Sequence, residues 1–176
     1  MGGFPSDRKG CIFLVFSGYA LFLFRKVKNM SRLVRYFYLS PLHCDSNRVL
    51  EVLNFHTHNR APLGLRNLSP GAANQLWAFV PCGGGFYEII NKNSTLVLDD
   101  SVPNAPGGTV YQHSRHGGPN QHWRIRQTND KNHVQIFAKV SNFVLDVGDR
   151  RRDNGAPIVL WHDWKGPNQI WRLIRA

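Results

Sequence analysis

Three copies of one tetrapeptide constrain this chain more than any other feature: Asn74-Gln75-Leu76-Trp77, Asn120-Gln121-His122-Trp123 and Asn168-Gln169-Ile170-Trp171. Successive Gln residues lie 46 and 48 positions apart, a period at which self-similarity marks a repeated structural unit. One unit is written three times. Within the body of the chain, no stretch sustains apolar residues at helical spacing. Short apolar runs instead alternate with Gly, Pro, Asn and Asp clusters, which is the pattern of strands and turns.

The repeats align with each other away from the tetrapeptide as well. FYEIINKNSTLVLD (86 to 99) runs without a gap against HVQIFAKVSNFVLD (133 to 146), so each unit reads as a strand, a polar turn and a second strand ending in Val-Leu-Asp. The expectation is a hairpin at the start of each unit. In the first unit Glu51 takes the Asp place. A loop and a third short strand follow (Leu63 to Leu65, Thr109 to Tyr111, Pro157 to Leu160), then the Asn-Gln-x-Trp segment, read as a fourth strand. Gln and Trp two apart on a strand share a face. The indoles of Trp77, Trp123 and Trp171 are therefore expected in the core, each burying on the order of 200 Å².

A four-stranded unit with one apolar face cannot bury that face alone, so three copies should pack about a common axis. The chain of 176 residues suits one domain of about residues 35 to 176, with repeats near 35 to 82, 83 to 129 and 130 to 176. Residues 1 to 34 read as a hydrophobic and basic leader outside the repeats. Its apolar run from Cys11 to Phe24 is 14 residues long, the size of a signal-peptide core and shorter than the ~20 residues of a membrane span. Arg25, Lys26 and Lys28 follow it where a cleavage site would be wanted. The protein is secreted if the leader acts as a signal and cytoplasmic if residues 1 to 29 are a non-native extension. No stable membrane span is expected.

The formal net charge is +11, but more than half of the excess lies in residues 1 to 38. The one compact basic cluster of the body, Arg150-Arg151-Arg152, is flanked by Asp149 and Asp153 and reads as a solvated loop. Specific nucleic-acid binding is not expected. With only Cys11, Cys44 and Cys82 present, the chain is no disulfide scaffold; Cys44 and Cys82 could form at most one bridge.

The three Gln-x-Trp motifs, each preceded at a matching distance by a Leu-Asp or Leu-Glu step, resemble the ricin B-chain type of lectin domain. That resemblance implies an all-β fold, a β-trefoil: a six-stranded barrel closed by three hairpins, with up to three shallow sugar sites. In such sites an Asp accepts hydrogen bonds from sugar hydroxyls, an aromatic ring forms a platform, the Asn adds a polar contact and the Gln braces the Asp. Carried across by position, the third repeat offers Asp146, Trp161, Asn168 and Gln169, with Trp164 nearby. The second offers Asp99, His113 at the platform, His116, Asn120 and Gln121, with Tyr111 as a substitute ring. The first offers Glu51, Asn74 and Gln75, but Arg66-Asn67 stands where a ring should be. Val159 occupies a place where relatives often carry Gln.

These residue types make chemical sense for a pyranose. Its C–H face lies on an electron-rich ring, and its hydroxyls both donate and accept, so a carboxylate beside an amide satisfies both roles. The expected function is a lectin for glycans or glycoproteins of the galactose or N-acetylgalactosamine type, best formed in the third repeat. The alternative is a trefoil that has lost sugar binding and serves protein interactions. No enzyme chemistry, cofactor or metal is expected: Ser114 and His116 lack an orienting partner in sequence, and the metal-like spacing of His56-Thr57-His58 reads as a polar loop.

Overall fold

The computed structural model describes residues 34–100 and 105–176; the leader expected over residues 1 to 34 lies, but for Val34, outside the described residues. Strands form where the apolar runs are. They are β1 (Phe37–Pro41), β2 (Arg48–Val52), β3 (Ala61–Asn67) and β4 (Trp77–Gly83); β5 (Phe86–Asn91), β6 (Val97–Asp100), β7 (Val110–His113) and β8 (Trp123–Gln127); and β9 (His133–Ala138), β10 (Val144–Val147), β11 (Ile158–Trp161) and β12 (Trp171–Arg175). Each repeat thus contributes four strands.

Strand pairing closes a ring. β1 pairs with β4, β4 with β5, β5 with β8, β8 with β9, β9 with β12, and β12 with β1, every pair antiparallel. This is a six-stranded barrel. The other strands form three hairpins, β2–β3, β6–β7 and β10–β11, tied to one another by β3–β7 pairing and by bridges Gly64↔Pro157 and Thr109↔Val159. Six barrel strands and a three-hairpin cap make the β-trefoil. Among the described residues no helix is long and apolar enough to cross a membrane.

Two local expectations are corrected. The first and second strands of a unit barely pair: Ile90↔Val97 and Phe137↔Val144 are the single matched positions of β5–β6 and β9–β10. The left-handed residues Thr95 (φ 61°) and Asn142 (φ 59°) turn the chain out of the barrel and into the cap, where the second strand makes its longer pairing with the third. Likewise Asn-Gln is not strand in any repeat. It ends a short 3-10 turn, Ala73–Gln75, Pro119–Gln121 or Pro167–Gln169, and the strand begins at the Trp two residues on. The polar side chains are thereby free to bond sideways instead of alternating in a ladder.

The three indoles of the motif are fully buried, with Leu39, Leu50, Leu65, Ile89, Leu98, Ile136 and Leu145 around them. Each Trp Nε1–H donates to the carbonyl of the Leu immediately before the acidic residue on its own unit's second strand: Leu50 at 3.1 Å, Leu98 at 3.0 Å and Leu145 at 3.0 Å. The indole thus pins cap to barrel as well as filling space. Cys44 and Cys82 are both free, and burial pushes both thiols up from their ordinary value.

Replacing Trp123 by Ala removes a fully buried ring and strands the Leu98 carbonyl. The expected loss is about 3–5 kcal/mol of stability, read from urea unfolding; a loss below about 1 kcal/mol would show that the indole is not a keystone.

Candidate functional site

The Gln of each motif builds the same frame three times. Its Nε2 amide donates to the acidic side chain of the second strand and to a backbone carbonyl of the preceding loop: Gln75 to Glu51 (2.7 Å) and Asn67 (2.9 Å), Gln121 to Asp99 (2.9 Å) and Ser114 (2.8 Å), Gln169 to Asp146 (2.8 Å) and His162 (2.7 Å). Its Oε1 accepts the backbone N–H of Ser69, His116 or Trp164. A single buried amide therefore holds strand, loop and carboxylate together. The Asn adds a second donor to the acid in two repeats only, Asn120 to Asp99 (2.9 Å) and Asn168 to Asp146 (2.7 Å), whereas Asn74 turns to the Val52 carbonyl.

In the third repeat four of the expected residues meet. Asp146, Trp161, Trp164 and Asn168 line one open cavity of ≈ 530 Å³ together with Gly107, Gly148, Asp149, Arg150, Pro157 and Val159. Gln169 is fully buried behind Asp146 and takes no part in the lining. Trp161 and Trp164 are 44% and 46% exposed, against full burial for the motif indoles, so these two rings are surface and not core. Asp146 lies across the hairpin from Val159, and Trp161 follows two residues later on the same face.

Neighbouring backbone sets the two rings. Gly107, from the second repeat, backs Trp161; a Cβ there would lie 3.4 Å from the indole. Trp164 lies flat on Gly166, where a Cβ would fall 1.9 Å from the ring. The Arg150 guanidinium stands 5.2 Å from the Trp164 ring centroid, a cation–π contact. The loop between the rings is anchored by Asp163, which accepts from Gln135 (2.8 Å) and Arg126 and from the backbone N–H of Lys165 (3.1 Å).

Asp146 is 4% exposed, and its electrostatics follow. Burial pushes its carboxyl up from the ordinary value, hydrogen bonds from Gln169, Asn168 and Trp164 hold it down, and Asp149 adds a further upward push; the net direction is up. Beside it the Oδ1 of Asn168 is buried with no hydrogen-bond partner among the described residues. The same atom of Asn74 is also unpartnered, so an open acceptor alone does not mark a site.

The second repeat brings its expected residues together around a different surface. Asp99, His113 and His116 offer ligand atoms all within 4.8 Å of one another, and His116 Nε2 is 3.4 Å from the Asp99 carboxylate. By register, His113 opposite Val97 takes the place of Trp161 opposite Val144, and His116 that of Trp164. Tyr111 carries the Arg60 guanidinium over its ring at 5.0 Å. In the first repeat Arg66, opposite Val49, occupies the platform position and approaches Glu51 at 3.9 Å, so no ring stands there.

Sequence reasoning missed Gly107, Asp149, Arg150 and Asp163. The expectation of a solvated Arg150–Arg152 loop agrees with the exposure of all three side chains, with Arg151 paired with Asp153; it did not foresee that the left-handed turn at Asp149 and Arg150 (both φ 55°) brings Arg150 to the cavity. The matching first-repeat pair, Asn54 and Phe55, has the same conformation; a backbone turn shared by the first and third repeats with different residues gives no composition signal.

The model of the ricin-type beta-trefoil lectin domain-like family matches residues 42–112, 73–161 and 119–176. Among solved structures, the chain is similar to the designed three-fold symmetric protein ThreeFoil, at 32% identity and TM-score 0.74 over 79% of this chain and 97% of that one. It is similar to 1,3Gal43A, an exo-beta-1,3-galactanase from Clostridium thermocellum, at 29% identity and TM-score 0.76; the match covers 85% of this chain but only 32% of the enzyme. The Macrolepiota procera ricin B-like lectin in complex with lactose shares the fold at 19% identity and TM-score 0.69, over 84% of this chain and 100% of that one. No curated protein matches the chain in sequence. The matched segments run over residues 42 to 176, and the chain belongs to the ricin-type β-trefoil lectin family.

Proposed function

We propose that the protein is a carbohydrate-binding lectin without enzymatic activity, that its principal site is the third-repeat cavity, and that it takes galactose- or N-acetylgalactosamine-type ends of glycans and glycoproteins. One observation carries this reading: a buried carboxylate, Asp146, and an exposed indole, Trp161, line the same open cavity. A pyranose seated there lays its C–H face on Trp161 and donates a hydroxyl proton to Asp146, while Trp164 and Arg150 border the same cavity. The lactose complex of the Macrolepiota lectin and the galactan substrate named for the Clostridium enzyme support a galactose-type ligand. In the second repeat of the metal-free protein Asp99, His113, His116, Asn120 and Gln121 make a lesser sugar site, because an imidazole offers less ring than an indole. Such a shallow, wet site binds at about the 1 mM scale, and useful affinity comes from multivalent presentation.

A glycan array is the first test. Wild-type protein should retain galactose-terminated glycans, and Trp161→Ala, an exposed change that leaves the frame intact, should weaken binding about tenfold or more, ~1.4 kcal/mol or above. Retention unchanged in Trp161→Ala would remove the third-repeat assignment. No binding across a broad array would favour the protein-interaction reading, for which the ringless first repeat is the supporting observation.

The Asp146 carboxylate gives the pH dependence its sign. Only the ionised form leaves both oxygens free as acceptors, and because its pKa is raised, protonation sets in at higher pH than for an ordinary Asp. Affinity for lactose, followed by calorimetry from about pH 7 to about pH 4, should fall toward the acid end above the range expected from an ordinary value of ~3.9. The stability contribution runs the other way: a raised carboxyl favours the folded state most below its unfolded value, and that contribution is lost as pH rises through the folded one. Affinity constant down to about pH 4 would contradict the role given to Asp146.

A further inference from the structure

The second repeat departs from the third at two positions, and both departures are in the same direction. Where the third repeat sets Trp161 and Trp164 beside Asp146, the second sets His113 and His116 beside Asp99, with all three ligand atoms within 4.8 Å. Two neutral apolar rings have become two nitrogen donors facing one buried carboxylate. We propose that Asp99, His113 and His116 form a binding site for a divalent late transition-metal ion of the zinc class.

The donor set is His, His and carboxylate, which suits borderline ions such as Zn²⁺ and leaves a coordination position open to water. The 3.4 Å between His116 Nε2 and Asp99 Oδ2 matches the ligand-to-ligand edge of about 3.4 Å in a tetrahedron with metal bonds of ~2.0–2.1 Å. His113 sits within reach of both and is only partly buried, so a side-chain rotation brings it in.

Supporting hydrogen bonds are in place. Asp99 is held by Asn120 on one oxygen and Gln121 on the other, which orients the carboxylate without consuming its remaining lone pairs. The Nδ1 of His113 lies 3.2 Å from the Ser114 carbonyl; donating its proton there leaves Nε2 as the metal-binding nitrogen. Arg115, between the two histidines in sequence, is paired with Glu88 (2.8 Å), which offsets its charge. His116 needs one adjustment. Its Nδ1 accepts the Gly118 N–H at 3.1 Å, so on coordination through Nε2 the proton moves to Nδ1 and the Gly118 amide turns to water, at a Gly117-Gly118 step with the backbone freedom to allow it.

Sequence spacing gives no sign of the cluster, because Asp99 is 14 residues from His113 and only the β6–β7 hairpin joins them. The test is titration of the full chain with Zn²⁺ by calorimetry, and with Co²⁺ by visible absorption. One ion per chain is expected. His113→Ala and His116→Ala should each weaken it about tenfold or more, with unfolding curves near wild type since neither side chain belongs to the buried core, while His56→Ala and Trp161→Ala leave it unchanged. No saturable Zn²⁺ binding, or binding that survives both His113→Ala and His116→Ala, would overturn the site.

Discussion

Everything in this fold leans on one buried side-chain amide per repeat. Gln75, Gln121 and Gln169 each satisfy a carboxylate, a loop carbonyl and a loop N–H at once, in places where an unpaired polar group costs about 1–3 kcal/mol. The carboxylate cannot be buried without the amide, and the loop cannot hold its course without it. The Trp two residues on locks the same second strand through a main-chain carbonyl, so the motif couples barrel to cap by one polar and one apolar anchor. Repetition does the rest, because three identical couplings close the barrel.

A frame this constant separates scaffold from function. The acid is present in all three repeats and always braced, so the acid alone does not distinguish them. What differs is the residue across the hairpin at the platform position, Trp161, His113 or Arg66, and the ring three positions later. In the proposed reading an indole makes a sugar platform and two imidazoles make a donor set, whereas the Arg66 guanidinium approaches Glu51. The loop carrying these residues is anchored in each of the later repeats by a residue between them, Asp163 on Gln135 and Arg126, Arg115 on Glu88. The charge of the anchor is reversed between repeats while its place is kept.

The fold and the candidate site were legible in the sequence to different depths. The period of the motif and the alternation in each unit announce three four-stranded units about a common axis, since both depend on near neighbours and repetition, and the resemblance of the Gln-x-Trp motifs to ricin-type lectin domains implies the trefoil. Asp146, Trp161, Trp164 and Asn168 were named because the resemblance to ricin-type lectin domains carries a site pattern onto the repeat by position. The pairing of strands was misjudged at the start of each unit, because a polar turn with one left-handed residue reads the same whether the strands stay together or part. Gly107 and Arg150 were missed for another reason: one comes from a different repeat, and the other is aimed by backbone conformation at Asp149, and neither leaves a trace in local composition. The Asp99, His113 and His116 cluster lay unrecognised among the residues already named, since its chemistry needs distances and not spacings.

The separation of scaffold from function is tested most directly by a crystal structure of the protein soaked with lactose. Sugar density over the Trp161 ring, with hydroxyl contacts to Asp146 and Asn168 and the Gln169 bonds unchanged, is the expected result. Density seated instead on the first-repeat surface at Glu51 and Arg66, or equally in all three repeats, would contradict the claim that the platform residue and not the shared frame decides where sugar binds.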